Sequence, residues 1–223
     1  MRPDWNSDER FRTTVLRDRV DLGDLLYRLN ALAASEVKGA TMKIGVLLAD
    51  GFQDSEYFLP KFDIENTGVQ TEVISLASKP IEIYSYFSRI GTLDVNKKIG
   101  DADPADYDGV LVPGGAKSPA ILAESDDIRS FIRQVNRQNG LIASICRGSL
   151  LVACSGIAEG RHLTGFHLAS EYPELVIRPI VEKYGGIWRE DAPVVVEGNL
   201  VSSRHPNDMA HFSRAIRDWL VGR

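Results

Sequence analysis

A cysteine that ends an apolar run is the residue of this chain best suited to nucleophilic chemistry. Leu141 to Ile145 carry no charge and predict a buried strand, whereas Ser149 to Ser155 have helical spacing. Cys146 therefore falls at a strand-to-helix junction and is followed by Arg147 and Gly148. The N-terminus of a helix and the charge of Arg147 are expected to lower the pKa of the thiol, which favours the nucleophilic thiolate.

Two further stretches are predicted to supply the groups that a thiolate needs. The stretch "ADGFQDSE" follows an earlier strand and contains Glu56, which can give or take a proton at the sulfur. The stretch "PGGAKS" contains Gly114 and Gly115, where the chain can approach other groups closely. A backbone N–H of either glycine, together with that of Arg147, can bind an oxyanion. This set of groups predicts chemistry at an acyl or carbonyl carbon.

The elements that must position these stretches alternate between strand and helix from Met42 onward. Strands are predicted over "MKIGVLLA", "TEVISLAS" and "YDGVLVPGG", and helices over "DSEYFLPKFDIENTG" and "SDDIRSFIRQVNRQNG", the second capped by Ser125. Two short strands, "PVVVEG" and "NLVSS", and the helix "PNDMAHFSRAIRDWL" end the chain. This alternation predicts a parallel sheet covered on both faces. Ligands bind such sheets beyond the carboxyl ends of the strands, where the three stretches fall.

The chain is predicted to consist of a short extension and one domain. Residues 1–41 are charged at first and then carry leucines at helical spacing, which predicts an N-terminal helical extension and linker. Residues 42–223 form the predicted α/β domain. We expect a homodimer in which the extension covers apolar surface.

Composition and charge limit what the protein can do. The 223 residues are 43% hydrophobic, carry a net charge of -5 and contain no basic tract, so nucleic acid is not an expected partner. No apolar run approaches about 18 residues, and the first 20 residues lack a signal-peptide core, which predicts a cytoplasmic protein without a membrane segment. Cys146 and Cys154 are expected to be thiols. The sequence predicts neither a metal site nor a cofactor.

Five stretches, taken in order, resemble the ThiJ/PfpI family of the class I glutamine-amidotransferase-like superfamily. They are "LLADGFQDSEYFLP", "YDGVLVPGG", "GLIASICRGSLLVACSGI", "GRHLTG" and "NLVSSRHPNDMAHFSRAI". The resemblance implies a flavodoxin-like three-layer α/β/α sandwich with a mostly parallel central sheet. It also implies a nucleophile elbow at Cys146, a site glutamate at Glu56 and an oxyanion pocket near Gly115. Members include hydrolases, glyoxalase-like hydratases, deglycases, intracellular proteases and redox-responsive chaperones.

The chain departs from this family at positions that bear on its activity. Protease-like members have histidine directly after the cysteine, where this chain has Arg147, and an acid after the glycine pair, where "PGGAKSPA" has none. A peptidase is therefore the less favoured reading. Other members draw a histidine from the loop after the next strand, and "LTGFHLAS" places Phe166 there with His167 one position later. His205 follows "SSR", a family loop close to the cysteine.

The sequence thus predicts a cysteine-dependent hydrolase or lyase that acts on a small electrophilic carbonyl, amide or related substrate. Cys146 attacks, Glu56 moves the proton, and His167 completes the predicted catalytic set. Gly114, Gly115, Arg147, Phe166 and His205 are predicted to bind the oxyanion or the substrate. Two alternatives stay open. One is a redox sensor or protective chaperone-like protein with an oxidisable Cys146, and the other is a scaffold that binds a partner through its N-terminal helix.

Overall fold

A seven-stranded sheet forms the centre of the computed structural model, which describes residues 42–167 and 175–222. Its strands are ordered β11-β12-β8-β7-β1-β3-β6, and every neighbouring pair is parallel except β11 with β12. The strands, including those of two smaller sheets, are β1 (Lys43–Leu47), β2 (Phe52–Gln53), β3 (Gln70–Ser75), β4 (Ile81–Ser85), β5 (Ser88–Leu93), β6 (Lys97–Lys98), β7 (Gly109–Val112), β8 (Leu141–Ile145), β9 (His162–Leu163), β10 (Ile187–Trp188), β11 (Val194–Glu197) and β12 (Leu200–Ser203).

Helices cover both faces of the sheet, as a parallel sheet requires. They are α1 (Asp54–Glu65), α2 (Ser118–Ala123), α3 (Asp126–Arg137), α4 (Gly148–Cys154), α5 (Arg178–Lys183) and α6 (Met209–Val221). Helix α3 begins as predicted, because the Ser125 hydroxyl accepts the Ile128 N–H at 3.4 Å. None of the helices in the described residues is both long and apolar enough to cross a membrane.

Two hydrophobic cores lie on opposite faces of the sheet. On one face, Tyr57 and Ile64 of α1 and Phe212 of α6 pack in the same cluster as Ile44 and Val46 of β1. On the other face, residues of α3 and α4 pack against the strands, among them Ile128, Ile132, Leu151, Val110 and Ile142. The two cores make a three-layer sandwich, and the predicted α/β/α fold is confirmed.

A hairpin that the sequence analysis does not predict joins β4 to β5. These strands are antiparallel and, with β2, form a separate three-stranded sheet. The hairpin is tied to the loop after β1, because the Glu82 N–H donates to Asp50 Oδ1 at 2.9 Å and the Gly51 N–H donates to the Glu82 carbonyl at 3.0 Å. Its turn carries Tyr86 and Phe87 toward the carboxyl edge of the main sheet.

The predicted extension over residues 1–41 lies outside the described residues. Homodimer formation and a cytoplasmic location stay predictions.

Candidate active site

Cys146 occupies a sharp turn directly after β8. Its φ angle is 58°, in the left-handed region that costs a non-glycine residue about 1–3 kcal/mol. The turn is held from both sides, since the Cys146 N–H donates to the Ser203 carbonyl at 2.9 Å and the Cys146 carbonyl accepts the Phe166 N–H at 3.0 Å. Helix α4 then begins at Gly148, where a Cβ would collide with the Val112 carbonyl oxygen. The predicted strand-to-helix elbow is therefore present, with its sulfur at the carboxyl edge of the sheet.

Glu56 lies in the first turn of α1 and reaches the cysteine. It is only 1% exposed, its Oε2 accepts the Gly114 N–H at 2.7 Å, and its carboxyl group is hydrogen-bonded to the Cys146 side chain. Burial raises the pKa of Glu56 to about 8, against the lowering effect of the hydrogen bond from Gly114. Glu56 is therefore mostly protonated at pH 7 and holds a proton next to the sulfur.

The thiol of Cys146 does not have the lowered pKa that the sequence predicts. Burial raises its pKa well above the ordinary value, and the Glu56 carboxylate raises it further. The backbone N–H groups of Arg147 and Gly115 act in the lowering direction. The prediction was wrong because it counted the helix N-terminus and the arginine but not the removal of water from the sulfur.

The backbone N–H groups of the two glycines after β7 contact different side chains. The N–H of Gly114 is bonded to Glu56, so it is not available to an oxyanion, whereas the N–H of Gly115 faces the Cys146 sulfur together with that of Arg147. A Cβ at Gly114 would lie 2.7 Å from Glu56 Oε2 and 2.8 Å from the Arg147 nitrogen. Gly115 has a φ of 104°, and a Cβ there would collide with the Gly51 carbonyl oxygen. Glycine is thus needed at both positions for the loop to approach the cysteine.

An open pocket with an empty volume of about 490 Å³ lies above the sulfur. It brings together six of the predicted site residues, and the remaining lining residues are mostly apolar. The full lining consists of Gln53, Glu56, Tyr86, Phe87, Gly115, Ala116, Cys146, Arg147, Phe166, Leu175, His205 and Pro206.

Two predicted binding residues are fixed by bonds to the backbone. The Arg147 guanidinium donates to the Ala116 carbonyl, which holds it against the glycine loop. His205 Nδ1 accepts the Asn207 N–H at 3.2 Å, so the neutral imidazole is assigned its proton on Nε2.

His167 does not belong to the pocket lining. Its charged neighbours are Arg204, Glu190 and Asp208, and burial followed by the charge of Arg204 lowers the pKa of its imidazole. Phe166 belongs to the pocket lining, and His167, the next residue, does not. The structure therefore does not give His167 the contact with the pocket that its predicted catalytic role needs.

Three lining residues were missed or undervalued by the sequence analysis. Gln53 is only 5% exposed and has a sequence signal in its place three residues before Glu56. Tyr86 and Phe87 lie in a part of the chain for which no element was predicted, and nothing in their spacing connects them to the cysteine.

The raised pKa values predict how the reactivity of Cys146 depends on pH. Because the protonated thiol is the less reactive form and its pKa is raised, alkylation of Cys146 by iodoacetamide should rise about tenfold per pH unit from pH 6 to 7 and should still be rising at pH 9. Peptide mass spectrometry of the Cys154→Ser variant measures this rate at Cys146 alone. A rate that is already independent of pH between 6 and 7 would instead indicate a thiolate with a lowered pKa.

Comparison with known sequences finds relatives along most of the domain. The family model described as "DJ-1/PfpI family" matches residues 42–218. A protein of Thermococcus kodakarensis named a deglycase is 31% identical over 173 residues, which are 78% of this chain and 96% of that protein. An uncharacterized protein of Staphylococcus epidermidis is 32% identical over 176 residues, with 78% of this chain and 95% of that protein covered.

Comparison with solved structures finds the same fold. DJ-1beta of Drosophila melanogaster is similar with a TM-score of 0.70 and 25% identity, covering 82% of this chain and 92% of that one. A ThiJ/PfpI domain protein from Brachyspira murdochii has a TM-score of 0.70 at 20% identity, covering 82% of this chain and 99% of that one, a likeness of fold alone.

Proposed function

This chain belongs to the DJ-1/PfpI family, and we propose that it is a cysteine-dependent hydrolase or lyase that acts on small electrophilic carbonyl compounds. The observation that carries the proposal is the hydrogen bond between Cys146 and the protonated Glu56, at a sulfur that the backbone N–H groups of Gly115 and Arg147 also contact. The relative named a deglycase supports a role in carbonyl chemistry.

Cys146 and Glu56 titrate as a coupled pair. When this pair loses its first proton, one negative charge is distributed between the Cys146 sulfur and the Glu56 carboxyl group. Two backbone N–H groups, those of Gly115 and Arg147, face the sulfur, whereas the carboxyl group accepts one, from Gly114. Hydrogen bonds to the charged form favour that form. Glu56 has the lower pKa of the two groups, so the state that reacts, with the charge on Cys146 and the proton on Glu56, is a minor form of this monoanion that the N–H groups of Gly115 and Arg147 stabilise.

The reaction follows from this arrangement. The thiolate adds to the carbonyl carbon, the C=O electron pair moves to oxygen, and Glu56 gives its proton to that oxygen to form a hemithioacetal. The N–H groups of Gly115 and Arg147 stabilise the charge that develops on the oxygen. With a 2-oxoaldehyde, the Glu56 carboxylate then takes the C–H proton of the former aldehyde carbon and returns it to the neighbouring carbon, while the hydroxyl proton passes to the former ketone oxygen, which leaves a 2-hydroxy thioester. Water cleaves the thioester to a 2-hydroxy acid and the free thiol, so the net change is the addition of one water molecule.

A product assay tests the proposal. Two-carbon and three-carbon 2-oxoaldehydes are incubated with the protein, and the 2-hydroxy acid is measured by chromatography. We expect product from the wild type and equally from Cys154→Ser, because Cys154 lies on α4 outside the pocket lining. Alkylation of Cys146 beforehand should stop the reaction. Product formation that survives this alkylation would contradict the proposal.

A redox sensor is the second candidate function, and the same contacts support it. The Glu56 carboxyl group and the N–H groups of Gly115 and Arg147 can bind the oxygens of an oxidised sulfur. Two equivalents of peroxide would each transfer one oxygen atom to Cys146 and leave two molecules of water. Sulfinic acid at Cys146 under mild peroxide, with no 2-hydroxy acid in the product assay, would favour this function over the enzyme.

A further inference from the structure

The turn between β4 and β5 contributes two aromatic side chains to the mouth of the pocket. Tyr86 and Phe87 are 57% and 56% exposed, yet both belong to the lining that contains Cys146. Both side chains therefore lie at the solvent-exposed rim of the pocket. Phe166 and Leu175 continue the apolar lining.

A buried amide positions this turn relative to the acid. Gln53 Oε1 accepts the Tyr86 N–H at 2.8 Å, while Gln53 Nε2 donates to Asp54 Oδ1 at 2.7 Å. Tyr86 has a φ of 53°, a conformation that is a genuine outlier for a bulky residue and persists only where neighbouring groups hold it. Gln53 precedes the helix that carries Glu56, so one short segment sets the position of both the proton donor and the aromatic turn.

The polar side chains of the pocket leave a mainly apolar surface for recognition. The Gln53 amide is bonded at both its oxygen and its nitrogen, and the Arg147 guanidinium donates to the Ala116 carbonyl. Aromatic rings bind other rings and alkyl groups through large apolar contact areas and preferred stacking geometries.

We propose that Tyr86 and Phe87 form a subsite for the substituent of the substrate, and that the site prefers electrophiles bearing an aromatic or other bulky apolar group. The proposal rests on the proposed function for the identity of the substrate but not for the recognition itself. The substituent lies against the turn while its carbonyl carbon is at the Cys146 sulfur, so Phe87 and Tyr86 determine specificity and take no part in bond making.

Thiol alkylation tests the subsite without requiring turnover. In the Cys154→Ser background at pH 8, the rate at Cys146 is measured with 2-iodo-N-phenylacetamide and with iodoacetamide, and the ratio of the two is corrected by the ratio for a free thiol. We expect a corrected ratio of about ten or more. Phe87→Ala should bring it close to one, and Gln53→Ala should lower it in the same direction because the turn loses its anchor.

Ile90→Ala is the matched control, since Ile90 lies on the same hairpin, is 57% exposed and is outside the pocket lining. It should keep the wild-type ratio. If Phe87→Ala leaves the ratio unchanged, the subsite is overturned. If light scattering also shows a lower molecular mass for Phe87→Ala than for the wild type, the turn contacts a second copy of the chain instead. A high ratio in a protein that makes no 2-hydroxy acid, from an aromatic 2-oxoaldehyde as well as from the two- and three-carbon compounds, would uphold the subsite and refute the proposed function.

Discussion

Replacing Cys146 by serine should lower kcat/KM for a 2-oxoaldehyde by at least about a thousandfold. A serine hydroxyl at this site stays protonated at neutral pH, so there is no anionic nucleophile to add to the carbonyl carbon. The side chain is similar in size, so the turn and its bonds to Ser203 and Phe166 can be kept. The rate is measured by the appearance of the 2-hydroxy acid.

Two controls separate lost chemistry from lost structure. The Cys154→Ser variant makes the same chemical change on α4 and should retain wild-type turnover. The Cys146→Ser variant should keep a cooperative thermal transition, because one buried sulfur contributes little of the packing around it. If Cys146→Ser retained a tenth of the wild-type rate, another group would have to be the nucleophile.

The Glu56→Gln substitution should lower kcat about a hundredfold or more and should at the same time make Cys146 easier to alkylate at pH 9, where Glu56 of the wild type is ionised. Glutamine can accept the Gly114 N–H as Glu56 does, but it cannot pass a proton to the developing oxyanion. It also removes the carboxylate, which raises the pKa of the Cys146 thiol through both its charge and its hydrogen bond. The thiolate therefore forms at lower pH in the variant, whereas turnover falls.

Opposite changes in these two readouts distinguish proton transfer from a structural role. Turnover and iodoacetamide alkylation are each measured from pH 6 to 9. The matched control is Glu65→Gln on the same helix, where the acid pairs with Lys61 at the surface and should affect neither rate. A loss of both turnover and thiol reactivity in Glu56→Gln would mean that the glutamate only holds the site together.

Local sequence was enough to predict the elbow. The uncharged run from Leu141 to Ile145 is a fully buried strand, and the break at Cys146 and Gly148 reflects a turn followed by a helix. Ser125 likewise predicts the start of α3, because a cap acts within one turn of its own helix. Each of these features depends on neighbours in sequence.

Features that depend on distant parts of the chain could not be predicted in the same way. The pKa of Cys146 follows from burial and from Glu56, ninety positions earlier in the chain, so residue type at the junction gave the wrong direction. Which of Phe166 and His167 lines the pocket depends on the path of the loop after β9, which neighbouring residue types do not determine. Phe87 and Tyr86 line the pocket from a turn whose backbone is bonded to Gln53, a contact between residues 33 positions apart in the chain.

At position 146 the residue that would stabilise the left-handed turn best differs from the residue that can react as a nucleophile. Glycine adopts a φ near 58° without strain, so of the twenty residues it is the one that this turn alone would select. A redesign of the chain guided by stability alone would therefore tend to introduce glycine at 146, and would discard the nucleophile in doing so. Such a redesign has to hold this position fixed and seek its gains elsewhere.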